Sequence, residues 1–252
     1  MTAMTYDQGQ WFRRFRDASD APRLFCLPHA GGAATAFAPL ARALGGAADV
    51  SGVQYPGRQD RRREPAVTDL NELADRIAVG LRDVGPVTLF GHSMGATLGY
   101  EVGRRLERDG VPLAGLFASG RRAPSTTRDD SVHRRDDAGV VAALQELSGT
   151  ASELLTDPEL LEMILPAIRA DYTAVETYLP APGPELECPV VALVGDDDPV
   201  TTIDEARAWE KHTAGPFELE VFPGGHFYLS ENPANAAAVA ATVARHLAAW
   251  NG

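Results

Sequence analysis

Apolar and polar positions along the chain follow two periods in turn. Residues 23–28 (RLFCLP) form a short apolar run closed by the glycine-containing turn 29–32, which predicts a buried strand. Residues 36–44 then have helical spacing, and residues 50–55 predict a second strand closed by Pro56-Gly57. Leu70, Leu73, Ile77 and Leu81 recur three and four residues apart, so residues 68–84 predict an amphipathic helix that Gly85-Pro86 ends. Further strands are expected at 87–90 (VTLF), 113–118, 189–194 and 217–222, and further helices at 94–108 and 236–250. Strand and helix in alternation predict a mostly parallel sheet with helices on both faces.

One stretch interrupts this rhythm. From 120 to 184 the pattern contains no strand: a polar, arginine-rich segment leads into helical spacing at 138–147 and 158–178, and Pro180, Pro182 and Pro184 mark the return to the sheet. This divides the chain into a first core part (1–119), a helical lid insertion (120–184) and a second core part (185–252).

Composition narrows the function classes. The 252 residues carry 23 Lys+Arg against 35 Asp+Glu, a formal charge of −12, which argues against nucleic-acid binding. No apolar run approaches the roughly 18 residues that cross a bilayer, and the start MTAMTYDQGQWFRRF lacks a signal-peptide core, so a cytoplasmic protein is expected. Cys26 and Cys188 are far apart and outside any C-x-x-C pattern, which disfavours a disulfide scaffold or zinc ribbon. Lys211 is the one lysine and has no glycine-rich loop around it, so Schiff-base and P-loop chemistry drop out.

The sharpest chemical signal is Gly91-His92-Ser93-Met94-Gly95, a G-x-S-x-G sequence between an expected strand and an expected helix. A serine on so tight a turn needs small neighbours two positions away on each side, and the following helix aims its positive end at the place where charge develops. Ser93 is therefore the expected nucleophile. Its proton needs a base. Of six histidines, His246 and His212 read as solvated, His133 lies in the polar stretch, His92 points away from its neighbour, and His29 shapes the first glycine turn. That leaves His226, in the loop after the last strand, where catalytic loops gather in open α/β sheets.

An acid must orient that base. Strand 189–194 runs into Gly195-Asp196-Asp197-Asp198-Pro199, from which Asp198 is the choice and Asp196 and Asp197 the alternatives. A three-aspartate run also raises Mg²⁺ or Ca²⁺, but no second acidic cluster or calcium-loop spacing supports a metal. The order Ser93, Asp198, His226 is the α/β-hydrolase order. For the oxyanion, the Met94 N–H and the Ala30 N–H are the expected donors, with Gly31 in reserve.

Taken together, LPHAGG near the start, YPGR at 55–58, GHSMGA at 91–96, GDDDP at 195–199 and GGHF at 224–227 resemble type II thioesterases of polyketide and non-ribosomal peptide biosynthesis. The resemblance spans nearly the whole chain and is weakest in the insertion. It implies an α/β-hydrolase fold and hydrolysis of stalled or aberrant acyl groups from the phosphopantetheine arm of an acyl-carrier or peptidyl-carrier protein, with no cofactor. Such a carrier is expected to be acidic, so docking on a chain of charge −12 calls for local basic patches. Arg58, Arg61, Arg62 and Arg63 form one candidate. Arg121, Arg122, Arg128, Arg134 and Arg135 form another, though Asp129, Asp130, Asp136 and Asp137 stand ready to pair with them. Met163, Ile164 and Leu165 could line an acyl chamber or simply pack helices. The rival readings are a general acyl-CoA thioesterase or carboxylesterase, a releasing domain of a synthase, and a non-catalytic hydrolase-like binding protein.

Overall fold

The apolar runs become the strands of one seven-stranded sheet. In chain order these are β1 (Phe12–Arg14), β2 (Arg23–Leu27), β3 (Asp49–Val53), β4 (Val87–His92), β5 (Leu113–Ser119), β6 (Val190–Gly195) and β7 (Phe217–Phe222). Their spatial order is β1-β3-β2-β4-β5-β6-β7. Neighbours are parallel except β1, which runs antiparallel to β3. The computed structural model describes residues 8–16, 18, 20–128, 130–148, 157–180, 182–231 and 233–251. β1 is the strand that the apolar pattern does not announce: its three residues FRR give no period to read, and only pairing with β3 makes them a strand.

Nine α-helices cross this framework among the described residues: α1 (Gln8–Trp11), α2 (Ala38–Leu44), α3 (Leu70–Leu81), α4 (Met94–Arg108), α5 (Asp137–Ser148), α6 (Pro158–Glu176), α7 (Ile203–Arg207), α8 (Tyr228–Glu231) and α9 (Pro233–Trp250). The two-residue period of the strands assigns each side chain to a face. In β2, Leu24 and Cys26 pack with Leu40 of α2 and Val239 and Val243 of α9, whereas Phe25 and Leu27 join the cluster of Leu73 and Ile77 from α3 and Leu98 from α4. Burial on both faces explains why these strands read as unbroken apolar runs rather than alternating ones.

Helix ends follow local chemistry. Asp69 caps α3 by accepting the Glu72 N–H at 3.0 Å, an interaction worth about 1 kcal/mol. Asp157 caps α6 ahead of Pro158, and Thr202 with Glu205 forms a capping box on α7.

Between β5 and β6 the described residues contain α5, α6 and a 3₁₀ turn at Val132–Arg134, with no named strand. These elements have a small core of their own, in which Val132, Val140, Ala143, Leu165 and Ile168 are buried together. Both cysteines are buried and free, and burial pushes both thiols well above the ordinary range. No helix among the described residues is long and apolar enough to cross a membrane.

Candidate active site

Ser93 stands between the end of β4 and the start of α4 with φ 56° and ψ −121°, a left-handed conformation that non-glycine residues seldom adopt. The surrounding packing enforces it. A Cβ on Gly91 would collide with the Gly95 carbonyl, and one on Gly95 with the Leu27 carbonyl, so the two flanking glycines let three pieces of backbone touch. The Ser93 N–H donates to the Ser119 carbonyl at 2.8 Å, which pins the turn to β5. Ser93 occupies the N-cap position of α4 without spending its hydroxyl on a cap. That hydroxyl stays available.

His226 follows β7 in the turn that leads to α8. Its ring is 2% exposed, and Nδ1 donates to Oδ2 of Asp198 at 2.9 Å. The Asp198 side chain is fully buried, and its other oxygen accepts the Val200 N–H at 2.9 Å and the Thr201 N–H at 3.2 Å. Three hydrogen bonds thus hold the carboxylate in one orientation. Asp196 and Asp197 are exposed, and Asp196 accepts the Gly224 N–H at 2.8 Å. Ser93 and His226 line the same cavity, of about 560 Å³, with no hydrogen bond between them among the described residues. Such contacts commonly close only when substrate is bound.

The same cavity wall includes Ala30, Gly31 and Met94. Among the described residues the N–H groups of Ala30 and Met94 have no partner, whereas the Gly31 N–H donates to Oδ2 of Asp171 at 2.7 Å. The reserve donor is therefore already engaged. Leu144, Ile164 and Tyr172 of the insertion close the other side. Of the three apolar positions singled out there, Ile164 reaches the cavity, Leu165 packs in the insertion's own core, and Met163 is 59% exposed.

Three imidazoles meet beside this site. His92 lies 5.1 Å from His226 and 6.0 Å from His29 between ring centroids, and Phe227 packs against all three. His92 is buried, with Nδ1 bonded to Ser119 Oγ at 2.9 Å, which in turn meets the Tyr228 hydroxyl at 2.6 Å. Burial first, then the neighbouring imidazole of His226, pulls His29 down to about 4 and His92 well below its ordinary value.

Both side chains are thus neutral in the fold near pH 7. Below about 6.5 the unfolded chain binds protons that the folded chain refuses, so stability falls as pH drops from there towards 4. Thermal midpoints measured from pH 7 to pH 4.5 should decline, and His29→Asn should decline less steeply. An identical slope in that variant would remove His29 from the account.

Several sequence expectations need correction. His212 is buried, not solvated: Nδ1 meets Glu185 at 3.0 Å and Nε2 meets Ser125 Oγ at 2.9 Å, because the turn after α7 folds back against α4 and packs Trp209 and His212 on Tyr100. His246 is only 12% exposed and packs on Phe117 and Trp250. His133 is held by Glu176, which also accepts the N–H groups of Val132 and His133.

The basic patches are largely consumed by internal pairing. Arg58 is buried against Asp171, and Arg61 pairs with Glu64 while covering the Trp11 ring. Arg122 pairs with Asp130 and Arg128 with Glu205; Asp129 lies outside the described residues. Arg121 borders the cavity and donates to Thr97 Oγ1 at 3.3 Å; burial, then the charge of Arg122, lowers it to about 10. Asp171, Tyr55 and Ser119 are the site-region residues that sequence reasoning missed. Tyr55 lies in the YPGR motif, which gave a signal without a role. Asp171 sits in a helix with no local mark, 113 residues from its partner Arg58.

Comparison with known proteins places this geometry. A family model for the thioesterase domain matches residues 22–247. The probable cadicidin biosynthesis thioesterase of Streptomyces griseus is 51% identical over 88% of this chain, which spans 63% of that protein's length. Thioesterase PikA5 of Streptomyces venezuelae is 47% identical, with 90% of this chain and 83% of that protein covered. The solved type II thioesterase BorB from the borrelidin biosynthetic cluster superposes with a TM-score of 0.87 at 51% identity, covering 97% of this chain and 99% of that one. The Ser93 elbow, the His226–Asp198 pair and the parallel sheet beneath them thus belong to a chain of the thioesterase family with the α/β-hydrolase fold.

Proposed function

We propose that this chain is a stand-alone editing thioesterase, cytoplasmic, which releases stalled or aberrant acyl groups from the phosphopantetheine arm of acyl-carrier or peptidyl-carrier proteins in polyketide or non-ribosomal peptide synthesis. The observation that carries this reading is the buried His226–Asp198 hydrogen bond in one wall of a cavity that also holds Ser93 at its strained turn. The relatives' printed roles as biosynthesis thioesterases support a thioester substrate, and the carrier-bound acyl group follows from the motif resemblance.

In this mechanism Asp198 fixes His226 with its proton on Nδ1, which leaves Nε2 to take the Ser93 proton. The Ser93 oxygen attacks the thioester carbonyl, and the Met94 and Ala30 N–H groups hold the resulting oxyanion. As the tetrahedral adduct collapses, the C–S bond breaks and the imidazolium returns its proton to the leaving sulfur. Water, deprotonated by His226, then attacks the acyl-Ser93 ester; the C–O bond to Ser93 breaks, the imidazolium returns the proton to the Ser93 oxygen, and the acid is freed. The insertion at 120–184 acts as the lid over the acyl group, between core parts 1–119 and 185–252. Leu144, Ile164 and Ile168 supply apolar lining for the acyl group, while Arg121, Arg122 and Glu176 of the same segment also border the cavity.

A panel of one acyl group presented on carrier protein, on coenzyme A and as an oxygen ester, with release followed by intact-protein mass and free thiol, tests this reading. The carrier-bound thioester should give the highest kcat/KM. Preference for the oxygen ester would favour a carboxylesterase, and indifference to the carrier a general acyl-CoA thioesterase.

A further inference from the structure

Oxyanion donors work only when their direction is fixed before the reaction. The peptide that presents the Ala30 N–H lies in the loop after β2, and the contacts around it come from far away in the chain. On its amino side, the Tyr55 hydroxyl donates to the Pro28 carbonyl at 3.0 Å. Its own carbonyl, that of His29, accepts the Gly32 N–H at 2.9 Å, which turns the Ala30 N–H to the opposite side of the peptide plane. On its carboxyl side, the Gly31 N–H is held by Asp171, and the Gly32 carbonyl accepts from Arg58 Nη1 at 3.0 Å.

Asp171 belongs to α6, in the insertion, and Arg58 to the loop after β3. The two form a bidentate pair, Nη1 to Oδ2 at 2.5 Å and Nη2 to Oδ1 at 2.8 Å, with the side chains 8% and 1% exposed. Ile168, one turn before Asp171, packs so close that a Cβ on Gly31 would lie 2.8 Å from its Cγ1. Gly31 itself has φ +77°, which a side chain would strain. Helix α6 therefore clamps the loop through both an ion pair and an apolar contact.

Buried ion pairs are poor sources of stability, because desolvation cancels much of their attraction. A pair so deep, bonded to two backbone groups of the oxyanion loop, calls for another explanation. We propose that Arg58 and Asp171 are positioning residues that set the direction of the Ala30 N–H and couple the seating of helix α6 to a competent oxyanion site. The inference rests on the proposed serine mechanism, and its consequence is specific: when α6 is displaced, the oxyanion loses one of its two donors although Ser93, His226 and Asp198 stay in place.

The test uses two variants of the full chain, because removal of one partner alone strands a buried charge and endangers folding. Arg58→Lys keeps both charges and loses the fork; Arg58→Met with Asp171→Leu removes both charges at similar volume. Each is assayed for kcat and KM on an acyl thioester and for affinity toward a trifluoromethyl ketone that forms a tetrahedral adduct on serine. Removal of one oxyanion donor costs roughly 100- to 1,000-fold, and a misdirected donor should cost roughly 10- to 100-fold in kcat. KM should change less than about threefold, and ketone affinity should fall by the same factor as kcat, as expected for an interaction made only in the transition state.

A purely structural role would lower the thermal midpoint without separating kcat from KM or weakening the ketone. A folded variant of either kind that keeps kcat within about threefold of the parent overturns the proposal, as does a change confined to KM. If the double variant does not fold, Arg58→Lys alone decides. Failure of the parent chain itself to hydrolyse thioesters or to bind the ketone would count against the serine mechanism, not against the clamp.

Discussion

Ser93→Ala should abolish thioester turnover while leaving the fold unchanged. The hydroxyl takes no part in capping α4, and the alanine methyl fits where the serine Cβ already sits, so the strained backbone is asked for nothing new. What is lost is the atom that attacks in the proposed mechanism. In serine hydrolases with a comparable triad, loss of the nucleophile costs roughly 10⁶ in kcat, and in the proposed mechanism His226 would then have no serine hydroxyl proton to take. Any residual rate would come from the proposed oxyanion donors, the N–H groups of Met94 and Ala30, acting on a water-borne reaction. Intact-protein mass after mixing with an acyl-carrier substrate should show no acyl-enzyme, and the thermal midpoint should stay close to that of the parent. A variant that still turns over at more than about one hundredth of the parent rate would remove Ser93 from the mechanism.

Asp198→Asn is the second large effect. Here the shape is retained and the proton inventory changes. Oδ1 of Asp198 accepts two backbone N–H groups, so the asparagine keeps its carbonyl on that side and turns its NH₂ towards His226. An NH₂ cannot accept from Nδ1–H. The imidazole should respond by moving its proton to Nε2, the nitrogen that the proposed mechanism needs bare to receive the Ser93 proton. By analogy with other triads the rate falls by about 10⁴. The loss should be in kcat and kcat/KM alike, since the Asp198 carboxylate is held by His226 and two backbone N–H groups and is not among the residues lining the Ser93 cavity. Near-full activity in this variant would reassign the acid to Asp196 or Asp197. Both are exposed, and Asp196 is engaged by Gly224 N–H.

The two effects rest on differently legible features. The elbow was readable because its cause is local: β4 ends, a helix begins, and the close approach of Leu27 and Gly95 demands glycines at fixed offsets. Strands and the larger helices were readable for a similar reason, since two-sided burial and 3.6-residue periods leave marks within a dozen positions. Element ends shifted by a few residues; the helix expected over 68–84 runs Leu70–Leu81, where Asp69 supplies the cap. The histidines show the limit. His212 lies between Lys211 and Thr213 and His246 next to Arg245, yet each packs on a ring from a distant segment, Tyr100 for His212 and Phe117 for His246, as well as on a nearby tryptophan. Arg58 and Arg61 read as part of an exposed basic run and are instead buried by partners that sequence proximity does not disclose.

By itself, then, the order of residues determined the alternating architecture, the turn that carries Ser93, and a short choice of histidine and aspartates in the loops after β7 and β6. Each follows from interactions spanning a few residues, where backbone sterics and hydrophobic period act directly on the neighbouring sequence. Only the tertiary structure decided that Asp198 rather than its neighbours meets His226, that the Gly31 N–H is engaged while those of Ala30 and Met94 have no partner among the described residues, and that Asp171 reaches Arg58 across 113 residues. Those outcomes depend on which groups lose water together when the sheet and the insertion pack, and desolvation is a property of the assembled fold that no local spacing encodes.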